Sequence, residues 1–158
     1  MPIRLCYAST RVEGEHDLLD DLSDILAKAR SFNEAHHIYG VLYYAQGVYF
    51  QCLEGEPEHV EALFLKIAQD PRHHQIYRFP DSNIDSIHFV EWSMKYVNQH
   101  GKVRKFFASR GLSQFLPHAL GLEHLDDFLE LLLKIHSTDQ LKETRKKGLN
   151  HRGYQNIF

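Results

Sequence analysis

The chain has 158 residues and a nearly balanced charge, with 18 Lys and Arg against 21 Asp and Glu and a formal net charge of −3. This length is enough for one domain with a short extension and a real hydrophobic core. The balanced charge argues against binding to nucleic acid or to a membrane surface. No apolar run approaches the roughly 20 residues of a membrane-spanning helix, and the first residues lack the architecture of a signal peptide.

Two cysteines and twelve histidines raise the question of a metal site. Cys6 and Cys52 fall inside predicted strands, which suits small buried residues in a reducing compartment, so we expect a cytoplasmic protein. The pairs His36-His37 and His73-His74 are poor chelates, because adjacent side chains of a helix or strand point in different directions. No HExxH or paired CxxC motif accompanies them, so we expect no metal.

The first elements in chain order are a strand and a helix. Residues 2–9 predict a strand, since apolar and polar side chains alternate there. Apolar residues then recur at helical spacing, with Asp17 near the start, which predicts a helix to about Ala35. The apolar stripe of this helix ends on a carboxamide, Asn33, which is either a fraying helix end or a group with a polar partner.

Four further strands follow the helix. They span residues 38–44, 48–54, 74–84 and 87–97. The first two form a hairpin around the turn residues 45–47, and Pro57 suits the first turn of a second helix. The order of elements is therefore βαββαββ.

This order predicts an α+β, ferredoxin-like sheet with two helices on one face, in which the first and third strands are parallel central neighbours. Tyr7 on the first strand and Gln51 on the third would then be adjacent on the helix-covered face. The opposite face carries Cys6, Phe50 and Cys52, so it also needs cover.

Residues 98–141 predict a helical extension that covers this second face. A helical stripe in this segment consists of Leu125, Phe128, Leu129, Leu132 and Ile135. Leu131 and Leu133 widen the stripe to roughly 200 degrees of arc, which is more than one packing surface requires. Residues 142–158 have little periodicity, and we expect a mobile tail there.

Gln51 is an uncharged amide within a strand whose two faces are both apolar. A buried amide is costly unless its donors and acceptors find partners, so Gln51 either satisfies a nearby backbone group or meets a polar ligand. Trp92 and Met94 share one face of the last predicted strand. Three strands thus offer Tyr7, Gln51 and Trp92 toward what could be a single pocket.

Five short motifs occur in order along the chain. They are Tyr7-x-Ser9; Arg30-x-x-Asn33 followed by Gly40-Val41-Leu42; Gly47-x-x-Phe50-Gln51-x-Leu53-Glu54-Gly55; Asp70-x-Arg72-His73; and Trp92-Ser93-Met94. In type, order and spacing they resemble the BLUF domain, the sensors of blue light using FAD, over roughly residues 2–97. The resemblance implies a flavin-binding photosensor domain over residues 1–97, similar to the short members that carry no fused output enzyme.

The resemblance also implies a photochemical pair and a cofactor. It places one non-covalent FAD between the two helices, with Tyr7 as the electron and proton donor to the excited flavin. Gln51 would lie between Tyr7 and the flavin N5 and O4 atoms. Asn33 would hydrogen-bond the carbonyl and imide edge of the ring. Trp92 and Met94 would belong to the strand whose arrangement reports the state of Gln51.

The remaining motif residues are expected at the edge of the cofactor. Arg30, Arg72 and His73 would lie near the ring, the ribityl chain or the phosphate, and Ser9 is a further cofactor-binding residue. Two positions depart from the family pattern: Phe32 replaces a polar residue that many members have, and Tyr39 replaces a small one. Both lie near the proposed ring edge and outside the central set of residues.

The function that the resemblance implies is a blue-light photoreceptor, not an enzyme, that signals to a separate protein partner. We expect it to be a monomer or a weak homo-oligomer. The alternative from the residues alone is a non-photoactive ferredoxin-like ligand-binding or regulatory module. An enzyme is disfavoured because no nucleophile-base pair, phosphate-cradling glycine loop or dinucleotide fingerprint is present in the sequence.

Overall fold

The computed structural model describes residues 1–90, 95–97 and 101–146, with side chains for residues 1–90 and 101–135. The chain divides into two compact units, Met1–Gln99 and His100–Phe158. Trp92 and Met94 lie outside the described residues.

The first unit contains six strands and two helices among its described residues. These are β1 (Ile3–Arg11), α1 (Leu18–His36), β2 (Tyr39–Ala45), β3 (Val48–Gly55), α2 (Pro57–Ala68), β4 (His73–Arg78), β5 (Ser82–Asn83) and β6 (Lys95–Val97). The strands form one sheet in the order β4-β1-β3-β2-β6, with β5 also paired to β1. This arrangement confirms the predicted α+β, ferredoxin-like class.

The relative direction of β1 and β3 corrects one prediction. The two strands are central neighbours as expected, but they are antiparallel, whereas the sequence had led us to expect a parallel pair. The reason is the chain path: α1 returns the chain so that β2 runs in the same direction as β1, and the β2–β3 hairpin then reverses it. The register still places Tyr7 directly opposite Gln51.

The bounds of α1 and of the hairpin follow local signals. The Asp17 side chain caps α1 by accepting a hydrogen bond of 2.9 Å from the Asp20 N–H. The helix ends where His37 adopts a left-handed conformation with φ of 54°. Gln46 and Gly47, with φ of 53° and 81°, form the two-residue turn of the hairpin. Both elements therefore lie where the sequence predicts them.

Both helices pack on the same face of the sheet. The core on this face consists of Leu5, Tyr7, Leu42, Tyr49 and Leu53 from the strands, Leu22 and Leu26 from α1, Ile38 before β2, and Val60 and Leu63 from α2. Side chains of a strand alternate between faces, so Tyr7 on β1 and Gln51 on β3 both point toward the helices. This confirms the predicted helix-covered face.

The strands predicted at 74–84 and 87–97 were too long. β4 ends at Arg78, because Pro80 has no N–H for a ladder bond and an ion pair of 2.7 Å between Arg78 and Asp81 closes a bend. The chain then regains only the two-residue strand β5. Residues 84–90 form no strand, and the strand pattern resumes in the described part of the chain at β6, which is parallel to β2.

The second unit contains α3 (Gly101–Ser109), a 3-10 turn at Pro117–Ala119 and α4 (Leu122–Lys146). The predicted apolar stripe of α4 is buried as expected, whereas Leu131 and Leu133 are half-buried. The predicted end of the helical segment at residue 141 was wrong, since α4 continues to Lys146; residues 147–158 lie outside the described part. That this unit covers the second face of the sheet stays a prediction.

None of the described helices has the length and apolar character that crossing a membrane requires.

The carboxylate of Glu54, fully buried near the end of β3, binds the chain segment that precedes β6. It accepts hydrogen bonds from the backbone N–H groups of His88 at 2.7 Å and Phe89 at 3.0 Å. It also accepts one from Arg4 Nε at 3.0 Å, which compensates its charge. These bonds explain why residues 88–89 are not paired in the sheet, because their N–H groups bind the Glu54 side chain instead of a neighbouring strand.

We predict that Glu54→Gln lowers the free energy of unfolding by about 2–4 kcal/mol, because the amide nitrogen would face donors where a carboxylate oxygen now accepts. Urea denaturation of the two proteins measures the difference. The control is Glu15→Gln, which changes an exposed loop residue in the same way and should alter stability by less than about 0.5 kcal/mol. Equal midpoints for all three proteins would contradict the role of Glu54.

Candidate functional site

A cavity of about 320 Å³ lies in the first unit, where α1 and α2 pack on the sheet. The strands contribute Tyr7, Leu42, Tyr49 and Gln51, α1 contributes Ile25, Lys28, Ala29 and Phe32, α2 contributes Leu63, Lys66 and Ile67, and the chain before and at the start of β4 contributes Asp70, Arg72 and His73. The walls are apolar and a few polar groups converge on them. This combination is typical of a site for a small organic molecule or a cofactor.

The centre of the site is a hydrogen bond between two neighbouring strands. The Tyr7 hydroxyl donates to Gln51 Oε1 over 2.6 Å, and the two side chains are 4% and 3% exposed. The bond forms because β1 and β3 place these residues directly opposite each other on one face. Since Oε1 accepts here, the other end of the amide, Nε2, can only donate.

The phenol of Tyr7 is held in its neutral form. Burial raises its pKa well above the ordinary value, and the negative charges that Tyr49 and Asp70 can carry raise it further. The ring packs against Phe64, with ring centroids 5.6 Å apart. Loss of an electron from such a phenol requires that its proton also moves, and Gln51 Oε1 is the acceptor already in place.

The polar end of the cavity is an ordered network around Arg72 and His73. Arg72 forms ion pairs with Asp70 at 2.6 Å and Asp24 at 2.7 Å, and its hydrogen bonds lower the pKa of Asp70. His73 Nε2 lies 2.6 Å from the carbonyl oxygen of Ile67 and must carry a hydrogen, because a carbonyl only accepts. Its Nδ1 is then the hydrogen-bond partner of Ser9 Oγ at 2.7 Å.

The structure brings four of the nine predicted site residues into the wall of one cavity. These residues are Tyr7, Gln51, Arg72 and His73. Ser9 is not part of the lining, but its hydroxyl is hydrogen-bonded to His73 Nδ1.

Two other predicted residues lie outside the lining. Asn33 is fully buried at the C-terminal end of α1. Arg30 is half-buried one turn earlier, and burial lowers its pKa.

Tyr49 is a site residue that the sequence analysis missed. It lines the cavity and is 3% exposed, and its hydroxyl has no hydrogen-bond partner in the described part of the chain. Burial raises its pKa to about 12. Its position two residues before Gln51 on the same strand face was the available signal, but an aromatic residue there is also typical of an ordinary core.

The residues present fit a flavin. The apolar side chains of Ile25, Ala29, Leu63 and Ile67 suit an aromatic ring system. An amide that can donate and a buried hydroxyl that needs an acceptor suit the carbonyl oxygens and ring nitrogens of such a ring. The fold and the site together define a cofactor-binding module with a tyrosine–glutamine pair in its wall.

Comparison with known families identifies this module. The family model described as "BLUF: Sensors of blue-light using FAD" matches residues 3–95, and the chain belongs to this family. It is therefore a blue-light photoreceptor of the type that uses FAD as its chromophore.

Solved structures support the assignment. The photo-activated state of BlsA is 50% identical, with a TM-score of 0.82, and the match covers 84% of this chain and 95% of that one. The ground state of BlsA is also 50% identical, with a TM-score of 0.81, and the match covers 84% of this chain and 88% of that one. The dark-state structure of BlrB, a BLUF protein, is 29% identical with a TM-score of 0.62, covering 68% of this chain and 80% of that one.

Curated relatives include the photoactivated adenylate cyclase subunit alpha of Euglena gracilis. It is 33% identical over 92 residues, which are 58% of this chain and 9% of that protein. The chain thus spans less than a tenth of the length of this relative, and the likeness concerns one segment of it.

We predict that the protein loses stability as the pH rises above about 10. The pKa values of Tyr7 and Tyr49 are raised in the folded state, so their contribution is fully present below the ordinary tyrosine pKa of about 10 and is lost above it. Each phenol should lower the free energy of unfolding by about 1.4 kcal/mol per pH unit over this window.

Urea midpoints between pH 9 and pH 11 measure this dependence. Tyr7→Phe combined with Tyr49→Phe should flatten it, whereas Tyr77→Phe, which changes an exposed tyrosine, should not. The same slope in all three proteins would show that the two buried phenols do not cause it.

Proposed function

We propose that the Tyr7–Gln51 pair is the light-driven switch of this photoreceptor. The observation that carries the proposal is the buried 2.6 Å hydrogen bond from the tyrosine hydroxyl to the amide oxygen in the wall of the cavity. FAD supplies a strong one-electron oxidant when it is bound and absorbs blue light. Tyr7 would give one electron to the excited flavin, and its hydroxyl proton would pass to Gln51 Oε1, to which it is hydrogen-bonded. Gln51 would release a proton from Nε2 toward the flavin, so that the amide stays neutral.

Gln51 suits this role because its side chain both donates and accepts hydrogen bonds. The two ends of the amide have nearly the same shape, so rotation or tautomerisation exchanges donor and acceptor without changing the volume of the side chain. A new donor aimed at a flavin carbonyl would stabilise the excited state more than the ground state and shift absorption to the red. Glu would be charged, Asn too short, and Leu unable to form the bond.

We infer that the other predicted residues hold the cofactor in place. Asn33 is fully buried and would bind the carbonyl and imide edge of the ring, with Arg30 nearby. Arg72 already pairs with two carboxylates, which favours a place beside the ring or the ribityl chain over binding of a phosphate. His73 would support the same edge, positioned by Ser9.

We propose that the signal leaves the site through β6 and the segment before it, to which Trp92 and Met94 belong in the sequence. Two contacts support this route. Leu42 on β2 pairs with Gln51 on one side and with Tyr96 of β6 on the other, so β6 is two strands away from the switch. Glu54, three residues after Gln51 on β3, binds residues 88–89, and a shift of β3 would therefore move the chain that leads into β6.

The output is proposed to be a contact with a separate protein, made by the C-terminal helical segment after residue 97. The sequence contains no nucleophile-base pair, phosphate-cradling glycine loop or dinucleotide fingerprint, so we propose a sensor without enzyme activity of its own. A monomer or weak homo-oligomer in the cytoplasm fits two free, buried cysteines. We propose no nucleic-acid or membrane partner, given the net charge of −3.

We predict that Tyr7→Phe and Gln51→Leu each retain non-covalent FAD but lose the light-induced red shift, because each change removes one end of the central hydrogen bond and little volume. The absorption difference spectrum after blue light measures the shift, and acid denaturation should release free FAD from both. Tyr77→Phe and Gln69→Leu, which make the same changes at exposed positions, should behave as wild type. A red shift of roughly wild-type size in Tyr7→Phe or Gln51→Leu would refute the switch.

We predict that light changes hydrogen exchange in the C-terminal segment as well as around β6. A few kcal/mol of differential stability between two packings is enough to change the affinity of a partner many-fold. Exchange in dark and light should therefore differ across residues 98–136. Changes confined to residues 75–97 would instead assign the output to the segment before the helices.

A further inference from the structure

Tyr49 is a second tyrosine in the wall of the cavity. It lies on β3 two residues before Gln51, so both side chains point to the helix-covered face. The register places it opposite Ser9 on β1 and Tyr44 on β2. It is 3% exposed, and it lines the same cavity as Tyr7 and Gln51.

The hydroxyl of Tyr49 has no hydrogen-bond partner in the described part of the chain. The groups around it already have partners. Both ring nitrogens of His73, whose ring centroid is 6.4 Å away, are bound to Ser9 and to the Ile67 carbonyl. Arg11 is paired with Asp21 at 2.9 Å. A buried hydroxyl in such surroundings has a hydrogen to donate to an acceptor atom of a bound ligand.

We propose that Tyr49 donates its hydroxyl hydrogen to an acceptor atom of the bound flavin, and that it is a flavin-binding residue on the same wall as the switch. This inference rests on the proposed function. The hydroxyl of Tyr7 is already used by Gln51, whereas that of Tyr49 has a hydrogen to give. FAD carries the matching acceptors, which are carbonyl oxygens, ring nitrogens and ribityl oxygens.

The phenol is suited to act as a neutral donor at physiological pH. Burial raises its pKa to about 12, although Arg11 opposes this rise. The O–H group therefore persists at neutral pH. Its ring is held by the ring of Tyr44, with centroids 5.0 Å apart, so the hydroxyl has a fixed place.

The test is the affinity of the full-length chain for FAD in the dark, measured by quenching of flavin fluorescence on titration. Tyr49→Phe should weaken binding about five- to tenfold, the amount that one neutral hydrogen bond contributes. It should also shift the dark absorption band of the bound flavin. The control is Tyr44→Phe, which makes the same change in a ring that contacts Tyr49 and lies outside the cavity lining; its affinity should stay within about twofold of wild type.

Thermal unfolding of the flavin-free chains separates a binding role from a structural one. Tyr49→Phe removes a hydroxyl that is satisfied only by the ligand, so its midpoint should equal or exceed that of wild type. Wild-type affinity in Tyr49→Phe, or an equal loss of affinity in both variants, would overturn the inference while leaving the switch intact. A wild-type chain that rejects FAD would instead overturn the proposed function itself.

Discussion

The hydrogen bond between Tyr7 and Gln51 is the interaction on which the rest of the site depends. It exists because two central antiparallel strands are paired in a register that places a phenol directly opposite an amide. A slip of one residue in either strand would turn one of the two side chains to the other face of the sheet. The hairpin turn fixes the position of β3 beside β2, and the two helices bury the helix-covered face around the pair.

Two buried polar groups on β3 serve different purposes. Gln51 faces the helices and the cavity, whereas Glu54 points to the opposite face, since side chains alternate along the strand. The amide can change its hydrogen bonding, because rotation or tautomerisation exchanges its donor and acceptor ends. The carboxylate is fixed, because Arg4 and two backbone N–H groups bind it. One short strand thus contains both the proposed switch and a carboxylate that binds residues 88–89, which precede β6.

Local patterns predicted the elements near the site well. The bounds of α1 and the hairpin turn follow from helical spacing and turn residues, which are properties of neighbours in sequence. The adjacency of Tyr7 and Gln51 required, besides alternation, the topology that the order of elements predicts. The direction of β1 relative to β3 was predicted wrongly, because it depends on how the whole chain path reverses. The end of β4 at Arg78 had a local signal in Pro80. The lack of a strand at residues 87–90 could not be read from propensity, since the partner that captures the N–H groups of His88 and Phe89 is Glu54, more than thirty residues away. The same holds for Tyr49: its strand position was visible in the sequence, but the lack of a partner for its hydroxyl is a property of the packed site.

The most direct test of the central claim is the infrared difference spectrum between light and dark in protein whose glutamine side-chain amides carry 13C. Only a glutamine that changes its hydrogen bonding contributes to such a spectrum. If Gln51 is the switch, the spectrum contains an isotope-sensitive amide band that disappears in Gln51→Leu, together with a flavin carbonyl band that moves to lower frequency in the light. A wild-type spectrum with no isotope-sensitive amide band, recorded in protein that still shows the red shift, would contradict the claim that Gln51 is the switch.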